Sequence, residues 1–325
     1  MKAKIVLSIT CVFAVLMASC TKDEVVSSSI SKESVTGLIQ KGPFVNGSTI
    51  SMYELTKSFS PSGKVYDTQI QDNKGSFAFQ NIELASRYVK LKADGFYFNE
   101  VSGAKSATQI TLYALADLRD KSTVNVNVLT HLERNRVEYL VNSGLSFNVA
   151  KKQAQKEVLS IFNLEMSADS SSESLNLSAK GASNGVLLAV SSILQGRMTT
   201  ADMAELMADI ITDITPDGKL DNAAIGSKLI DNAKMIDLAT VRNNLVTKYL
   251  ELGFADVKIP DFEQYVNKFI ADTKFVRVKI ITYPTTGSYG TNILCDTISV
   301  LKSMQFYSMS ANLPEGTSLK VGHWA

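Results

Sequence analysis

Histidine, cysteine and long apolar runs are scarce in this chain of 325 residues, and each scarcity argues against a class of protein. Two distant histidines, His131 and His323, and three cysteines give no zinc-ligand spacing. The apolar run from Ile5 to Met17 has 13 residues, whereas a membrane-spanning helix needs about 20. The 33 Lys and Arg are balanced by 32 Asp and Glu, which argues against a nucleic-acid-binding chain. The sequence also lacks a phosphate-binding loop and a dinucleotide-binding motif.

The N-terminus has instead the pattern of a secretion signal that ends at a cysteine. Lys2 and Lys4 provide its positive start, and the apolar run follows. Two small residues precede the cysteine in Ala18-Ser19-Cys20, as a lipoprotein signal peptidase requires, although Met17 stands where Leu is more common. The alternative is an ordinary cleaved signal whose last residue is Cys. We predict a lipoprotein signal peptide over residues 1–19 and acyl chains, palmitate among them, on Cys20.

A charged segment directly after Cys20 indicates where the chain is displayed. Lys22-Asp23-Glu24 resembles the lipoprotein export tag of Bacteroidota, and the resemblance implies an outer-membrane lipoprotein exposed at the cell surface. The following residues are Ser-rich and lack periodicity, so we predict that residues 20–34 form the lipidated cysteine and a flexible tether. Loss of Cys11 with the signal and lipidation of Cys20 leave Cys295 alone, so no intramolecular disulfide is expected.

Residues 35–118 have the alternation of short, half-buried strands. Apolar and polar positions alternate in segments that include 35–39, 48–55, 65–70, 76–79, 88–93 and 109–114. Gly42-Pro43, Asn46-Gly47 and the segment from Asp72 to Gly75 mark turns between them. About seven short strands at this spacing predict an antiparallel β-sandwich.

Glycines and aromatic residues at fixed spacing carry a family resemblance in this region. The pattern comprises Val35-x-Gly37, Gly47-x-x-Ile50-x-x-Tyr53, Asp72-x-x-Gly75-x-Phe77-x-Phe79 and Leu91-x-Ala93-x-Gly95-Phe96. It resembles a carboxypeptidase regulatory-like, transthyretin-type β-sandwich domain over residues 35–118. Gly75 closes a turn in this interpretation, and Phe77 and Phe79 face one core. The resemblance implies a non-catalytic spacer, fold-assisting or adhesive module.

Residues 123–272 change to helical periodicity and predict an all-α helical bundle. Apolar stripes at helical spacing recur in 129–141, 147–161, 186–194, 203–211, 221–235, 238–250 and 262–270. Val186 to Leu194 is apolar on nearly all sides, which predicts a central helix. Thr199-x-x-Asp202 has the form of a capping box. We interpret the methionine and aromatic stripes as core.

After Lys274 the period returns to two, which predicts an antiparallel β domain over residues 274–325. This length of ~50 residues is about half that of a usual sandwich. The last residues, Gly322 to Ala325, contain neither a helix nor a polar tail that would cover a sheet edge. We therefore expect a truncated chain and a partial domain. The predicted fold class is multidomain β + α + β.

One segment matches a serine-hydrolase motif. Gly181-Ala182-Ser183-Asn184-Gly185 satisfies G-x-S-x-G, and a helix follows it, as that motif requires. The alternating strands and helices that precede such a motif are missing, His131 lies upstream of Ser183, and His323 falls in the partial domain. The simpler interpretation is a helix N-cap at Ser183 or Asn184, and we predict no catalytic residues.

A second segment resembles a calcium loop. Asp213, Asp217 and Asp221 occur at ligand-like spacing around Gly218, and they are the ligands we would name. However, Ala224 stands where a bidentate Glu is needed, and Pro216 interrupts the entering helix. The simpler interpretation is a helix–turn–helix with Asp221 as N-cap. We therefore predict no metal and no cofactor.

Two further features suit an exported protein. Asp296-Thr297-Ile298 fits the short O-glycosylation sequon of Bacteroidota, which makes Thr297 a candidate acceptor. Aromatic residues cluster at Phe96-Tyr97-Phe98 and recur at Tyr283, Tyr289, Phe306 and Tyr307. Rings exposed on β loops stack on sugars. The alternative is that these rings pack in the core or at sheet edges.

These patterns predict a lipid-anchored surface protein with a non-enzymatic binding or adhesion function. Its partners are then the membrane, through Cys20, and an extracellular glycan or protein. The alternative is an accessory or structural lipoprotein of an outer-membrane nutrient-uptake system or fimbria-like assembly. A secreted serine hydrolase that uses Ser183 is a third hypothesis.

Overall fold

The computed structural model describes residues 29–254 and 258–277. Within them an antiparallel-rich β region precedes a helical region. The strands are β1 (Ile30–Gln40), β2 (Thr49–Leu55), β3 (Pro61–Gln69), β4 (Ser76–Leu84), β5 (Tyr88–Gly95), β6 (Phe98–Asn99), β7 (Ala104–Lys105), β8 (Ile110–Asp117) and β9 (Val126–Asn127). The seven α-helices of the described residues are α1 (Val128–Asn142), α2 (Phe147–Ile161), α3 (Ala182–Gln195), α4 (Thr200–Ile214), α5 (Ala223–Met235), α6 (Leu238–Glu251) and α7 (Glu263–Asp272).

Strand β1 begins earlier than the sequence predicted. Residues 30–34 belong to this strand, so the prediction that they form part of a flexible tether is wrong. They pair with β4, with Ile30 opposite Leu84 and Ser34 opposite Gln80. The sequence of residues 30–34 does not alternate between apolar and polar residues, because the polar residues Lys32 and Ser34 occupy half-buried positions of the strand.

The larger strands form two sheets. One has the order β4-β1-β9 and the other has the order β3-β2-β5-β8, while β6 and β7 form a small hairpin. Phe77 and Phe79 on β4 are both buried and contact each other edge to face, as their period-two spacing predicted. Apolar side chains from both sheets belong to one hydrophobic cluster.

The predicted turn before β4 is confirmed. Gly75 has a φ of +79°, a conformation that side chains disfavour. The Asp72 carboxylate accepts hydrogen bonds from the backbone N–H groups of Lys74 (2.9 Å) and Ser76 (3.2 Å). The Gly75 carbonyl in turn accepts a hydrogen bond from the N–H of Ile39, so the turn is fastened to β1.

The β and helical regions are joined by a strand that the sequence analysis missed. Strand β9 pairs in parallel with the end of β1, with Ile39 opposite Val126, and leads directly into α1. Asn127 caps α1 in a reciprocal capping box with Thr130. The main hydrophobic cluster continues from the sheets into the helices. The two regions therefore share a core.

A second, smaller apolar cluster lies on the opposite side of the four-stranded sheet. There Leu55 and Leu115 of the sheet pack with Val137 and Leu140 of α1 and with Phe147 of α2. Helices α1 and α2 thus cover only one part of the sheet's outer side. The remainder of that side faces solvent.

The helix boundaries largely follow the predicted apolar stripes. The N-cap at Thr199 is confirmed, because its hydroxyl accepts a hydrogen bond from the N–H of Asp202. The same hydroxyl donates to the Asp202 carboxylate, which differs from the backbone contact of a reciprocal capping box. The predicted central helix is also confirmed, because Val186 to Leu194 are all buried within α3.

The predicted C-terminal β domain lies outside the described residues, except for residues 274–277, which form no regular element. In the parts of the chain that the structure describes, no helix has both the length and the apolar character needed to cross a bilayer.

Candidate functional site

The residues predicted to anchor and modify the chain lie outside the described ranges. These are Cys20, the export tag Lys22, Asp23 and Glu24, and the glycosylation candidate Thr297. Tyr283, Tyr289, Phe306 and Tyr307 also lie outside them. Within the described residues, Tyr97 and Phe98 are buried, so for these two rings the interpretation as core is confirmed and stacking on sugars is excluded.

The calcium-like loop is organised by hydrogen bonds within the chain. The Asp213 carboxylate accepts hydrogen bonds from the N–H groups of Asp221 (2.7 Å) and Asn222 (3.3 Å), and Asp217 accepts one from Lys219 (2.9 Å). The N-cap of α5 is Asn222, so the prediction of Asp221 as N-cap is wrong by one residue. The Asn222 side chain has that role because it accepts hydrogen bonds from the N–H groups of Ala224 (3.0 Å) and Ile225 (3.4 Å).

A guanidinium occupies the inner side of this loop. Arg136 donates to the carbonyls of Thr215 (3.0 Å) and Pro216 (2.9 Å) and forms two hydrogen bonds with Glu157 (2.7 and 3.0 Å). In the described part of the chain, no three His, Cys, Asp or Glu side chains are grouped so that they could hold a metal ion. The contacts of Asp213, Asp217 and Asp221 thus match a helix–turn–helix held by Arg136.

The G-x-S-x-G segment opens α3. The helix starts at Ala182 after Gly181, so neither Ser183 nor Asn184 is its N-cap, contrary to the prediction. The Ser183 hydroxyl lies 2.9 Å from that of Ser170, and the Asn184 side chain binds the loop before the helix, at Asn176. His131, the upstream candidate base, is buried, and burial followed by the charge of Arg134 lowers its pKa to about 3.

The second glycine of this motif has a packing role. A Cβ at Gly185 would lie 2.5 Å from the carbonyl oxygen of Asp261, immediately before α7. The glycine therefore permits the close approach of α3 to the chain that enters α7.

We expect Gly185→Ala to lower the free energy of unfolding by about 1–3 kcal/mol, even though Ala favours a helix over Gly, because the backbone at Asp261 must shift. Urea denaturation measures this change. Ser183→Ala is the matched control and should cost only about 1 kcal/mol, the value of one lost hydrogen bond. A larger loss in the serine variant would contradict the packing explanation.

Two buried charge clusters lie where the helices meet the β region. In the first, the Lys41 ammonium lies 2.5 Å from Glu100, and both side chains are 0% exposed. The Ser191 hydroxyl of α3 lies 2.8 Å from the Glu100 carboxylate and 2.7 Å from the Lys41 carbonyl. The Lys41 ammonium lies over the ring of Tyr97, whose hydroxyl donates to Gln195 (2.8 Å). This cluster ties the end of β1 to α3.

Part of the first cluster is left without hydrogen bonds among the described residues. The second carboxylate oxygen of Glu100 and the buried hydroxyl of Tyr249 have no partner there. Burial lowers the pKa of Lys41 while the Glu100 charge opposes that change, and burial followed by the same charge raises the pKa of Tyr249. The cluster therefore depends on the pairing of Lys41 with Glu100.

The second cluster contains two carboxylates around one lysine. The Lys151 ammonium of α2 lies 3.0 Å from Glu133 of α1 and 3.1 Å from Glu173, and Lys121 lies 2.7 Å from Glu173. Ser172 donates a further hydrogen bond to Glu133. Burial raises the pKa of Glu173, but the charges of Lys151 and Lys121 outweigh it and hold that pKa at about 2. Both clusters are enclosed and have the character of internal braces.

Several partly exposed polar and aromatic side chains lie together on the uncovered part of the four-stranded sheet. We call this area the outer sheet face and define it by Tyr53, Lys90, Lys92, Tyr113 and Arg134. The strand register places Tyr53 opposite Lys90 and Lys92 opposite Tyr113, on one side of three adjacent strands. The Arg134 guanidinium of α1 lies 4.1 Å from the centre of the Tyr113 ring. All five residues are partly exposed.

No protein-family model matches the sequence, and no curated protein and no solved structure matches it significantly. The resemblance of residues 35–118 to a carboxypeptidase regulatory-like domain therefore stays a prediction. The outer sheet face is the candidate functional site on the basis of its own geometry.

The charge clusters were missed by the sequence analysis, although a signal for one of them exists. Lys151 lies four residues after Phe147 on the apolar stripe of α2, and Glu133 lies four after Leu129 on that of α1. Opposite charges within two apolar stripes indicate a buried pair. Lys41 has no such signal, because its partner Glu100 is distant in sequence and lies after a short hairpin strand.

Proposed function

We propose that this protein is a lipid-anchored, surface-exposed outer-membrane lipoprotein whose folded part is a non-enzymatic binding or adhesion module. The observation that carries the proposal is the sequence Ala18-Ser19-Cys20 followed by Lys22-Asp23-Glu24. The first strand of the described residues begins at Ile30, ten residues after Cys20 in the sequence. The proposed ligand is a glycan or a protein.

The finer architecture is part of the same proposal. The two antiparallel-rich sheets support a transthyretin-type β-sandwich. The burial of Phe77 and Phe79 on β4 supports the same architecture. The seven helices of the described residues support a helical bundle that packs on it. A module of this kind presents a sheet face to a partner while its other faces are covered.

We expect Cys20→Ala to move the chain from the membrane fraction to the soluble fraction, because one acyl-bearing residue supplies the anchor. Cells that carry this variant should also lose the ligand binding that cells with the unaltered chain show to immobilised glycans or matrix proteins. Fractionation, immunoblotting and whole-cell adhesion measure these effects.

Cys295→Ala is the matched control, since it removes the other cysteine of the processed chain, and it should leave attachment unchanged. Continued membrane attachment of the Cys20 variant would contradict the anchor. Normal attachment of the unaltered chain with no binding to any glycan or protein would contradict the binding function and leave the anchor intact.

A further inference from the structure

The outer sheet face presents polar groups that have no partner among the described residues. Within the described residues, the hydroxyls of Tyr53 and Tyr113 and the ammonium of Lys90 make no hydrogen bond or ion pair, and no ring or cation stacks on Tyr53. The Arg134 guanidinium donates only through Nε, to Asn135 (2.8 Å). As far as the described residues show, the face therefore offers one free ring, two hydroxyls and two unpaired cations to a ligand.

The carboxylates near this face are mostly engaged. Asp94 lies 2.9 Å from Lys92 and also accepts a hydrogen bond from Thr111. Asp67 accepts a hydrogen bond from Ser51 (2.5 Å). Glu138, one helical turn after Arg134, is the remaining carboxylate at the border. Lys90 and Arg134 have no carboxylate partner among the described residues, whereas Asp94 is paired with Lys92, so these two cations favour an anionic ligand.

The spatial order of these groups limits the shape of that anion. A flat, partly exposed Tyr53 ring suits the apolar side of a pyranose, since tyrosine combines an apolar ring with a polar tip. Lys90 lies directly opposite Tyr53 on the neighbouring strand, and Arg134 lies over Tyr113 one strand further across the sheet. A saccharide that spans these strands would bring its carboxylate or sulfate to these cations. Arg134 is fixed over Tyr113, so its free Nη groups are preorganised for a forked contact with such a group.

We infer that the outer sheet face binds an acidic saccharide, with Tyr53 stacking on a sugar ring and Lys90, Lys92 and Arg134 holding its carboxylate or sulfate. This inference rests on the proposed binding function and names the class of ligand and the residues that contact it. A carboxylate and a sulfate are both anionic groups that these cations can bind, and the choice of probe distinguishes between them.

The test measures binding of the detergent-solubilised full chain to three probes: an oligogalacturonate, a heparin oligosaccharide and a neutral maltooligosaccharide. We expect saturable binding to an acidic probe, weakening with added salt, and no binding to the neutral one. Preference for the first probe assigns a carboxylate ligand and preference for the second a sulfate ligand. Lys90→Gln and Arg134→Gln should each weaken binding about five- to tenfold.

Further variants test the charge preference of the outer sheet face and the contribution of the Tyr53 ring. Glu138→Gln should strengthen acidic-probe binding, because it removes a repelling charge. Tyr53→Ala should abolish most binding, whereas Tyr53→Phe should retain it. Lys156→Gln, an exposed lysine on α2, is the matched control and should change nothing. Thermal melting verifies that each variant is folded.

Different experimental outcomes would contradict this inference and the proposed function. Equal binding of acidic and neutral probes, or unchanged binding in the Lys90, Arg134 and Tyr53→Ala variants, would overturn the inferred site. Binding of a matrix protein without any saccharide would overturn the saccharide while the adhesion function stands. If the anchored chain binds no glycan and no protein, both are overturned.

Discussion

Replacing Glu100 with Ala should lower the free energy of unfolding by about 3–5 kcal/mol, the cost of leaving a buried charge without its partner. The Lys41 ammonium would remain fully buried, with the Tyr97 ring 5.5 Å away as its described neighbour. Lys41→Met should cost a similar amount, because it strands the Glu100 carboxylate. Urea denaturation with linear extrapolation measures both values.

The double variant Lys41→Met/Glu100→Leu distinguishes a paired charge from general packing. Once both charges are gone, the site contains apolar groups of similar volume, and such replacements are often neutral or stabilising. We therefore expect the double variant to be more stable than either single variant. Losses that simply add would show that Lys41 and Glu100 stabilise the fold independently.

Lys151→Met should destabilise the protein strongly at neutral pH and much less in acid. At neutral pH the variant keeps the buried carboxylates of Glu133 and Glu173 without the ammonium between them, and we expect a loss of about 3–5 kcal/mol. Protonation of either carboxylate relieves this repulsion. The difference in stability between the variant and the unaltered protein should therefore narrow as the pH falls.

The unaltered protein itself should lose stability as the pH falls. The pKa of Glu173 is depressed to about 2 in the folded chain, whereas an unfolded Glu has a pKa of about 4.3. The stability from this group is present above the unfolded pKa and is lost as the pH falls toward 2. Denaturation at a series of pH values checks both trends. Lys156→Met on the same helix is the control, and a pH-independent difference for Lys151→Met would contradict the explanation.

Local periodicity predicted most of the regular elements. The strands around Phe77 and Phe79 and the all-apolar helix α3 were predictable because burial imposes a period of two or 3.6 residues on the sequence. The N-cap at Thr199 was predictable because it involves residues only three apart. In each case the interaction is short-range or repeats along the chain.

Long-range pairing explains what the sequence analysis missed. Strand β9 has only two residues, and its existence depends on β1, far back in the chain. The partners of the buried Tyr97 side chain, Lys41 and Gln195, are shown by no local pattern. The outer sheet face was likewise unpredictable, because the register of three strands and the position of α1 bring Tyr53, Lys92 and Arg134 to one side of the molecule.

The short strand β9 also bears on how such a protein can evolve. Strand β9 pairs with β1, and the β and helical regions share a core. The junction between residues 118 and 128 is therefore not a domain boundary at which the two regions separate. A recombination break there would expose the core surfaces of both regions and would separate Lys41 from Ser191. The β and helical regions are therefore expected to be inherited as one unit, and new binding properties to arise by substitution on the outer sheet face.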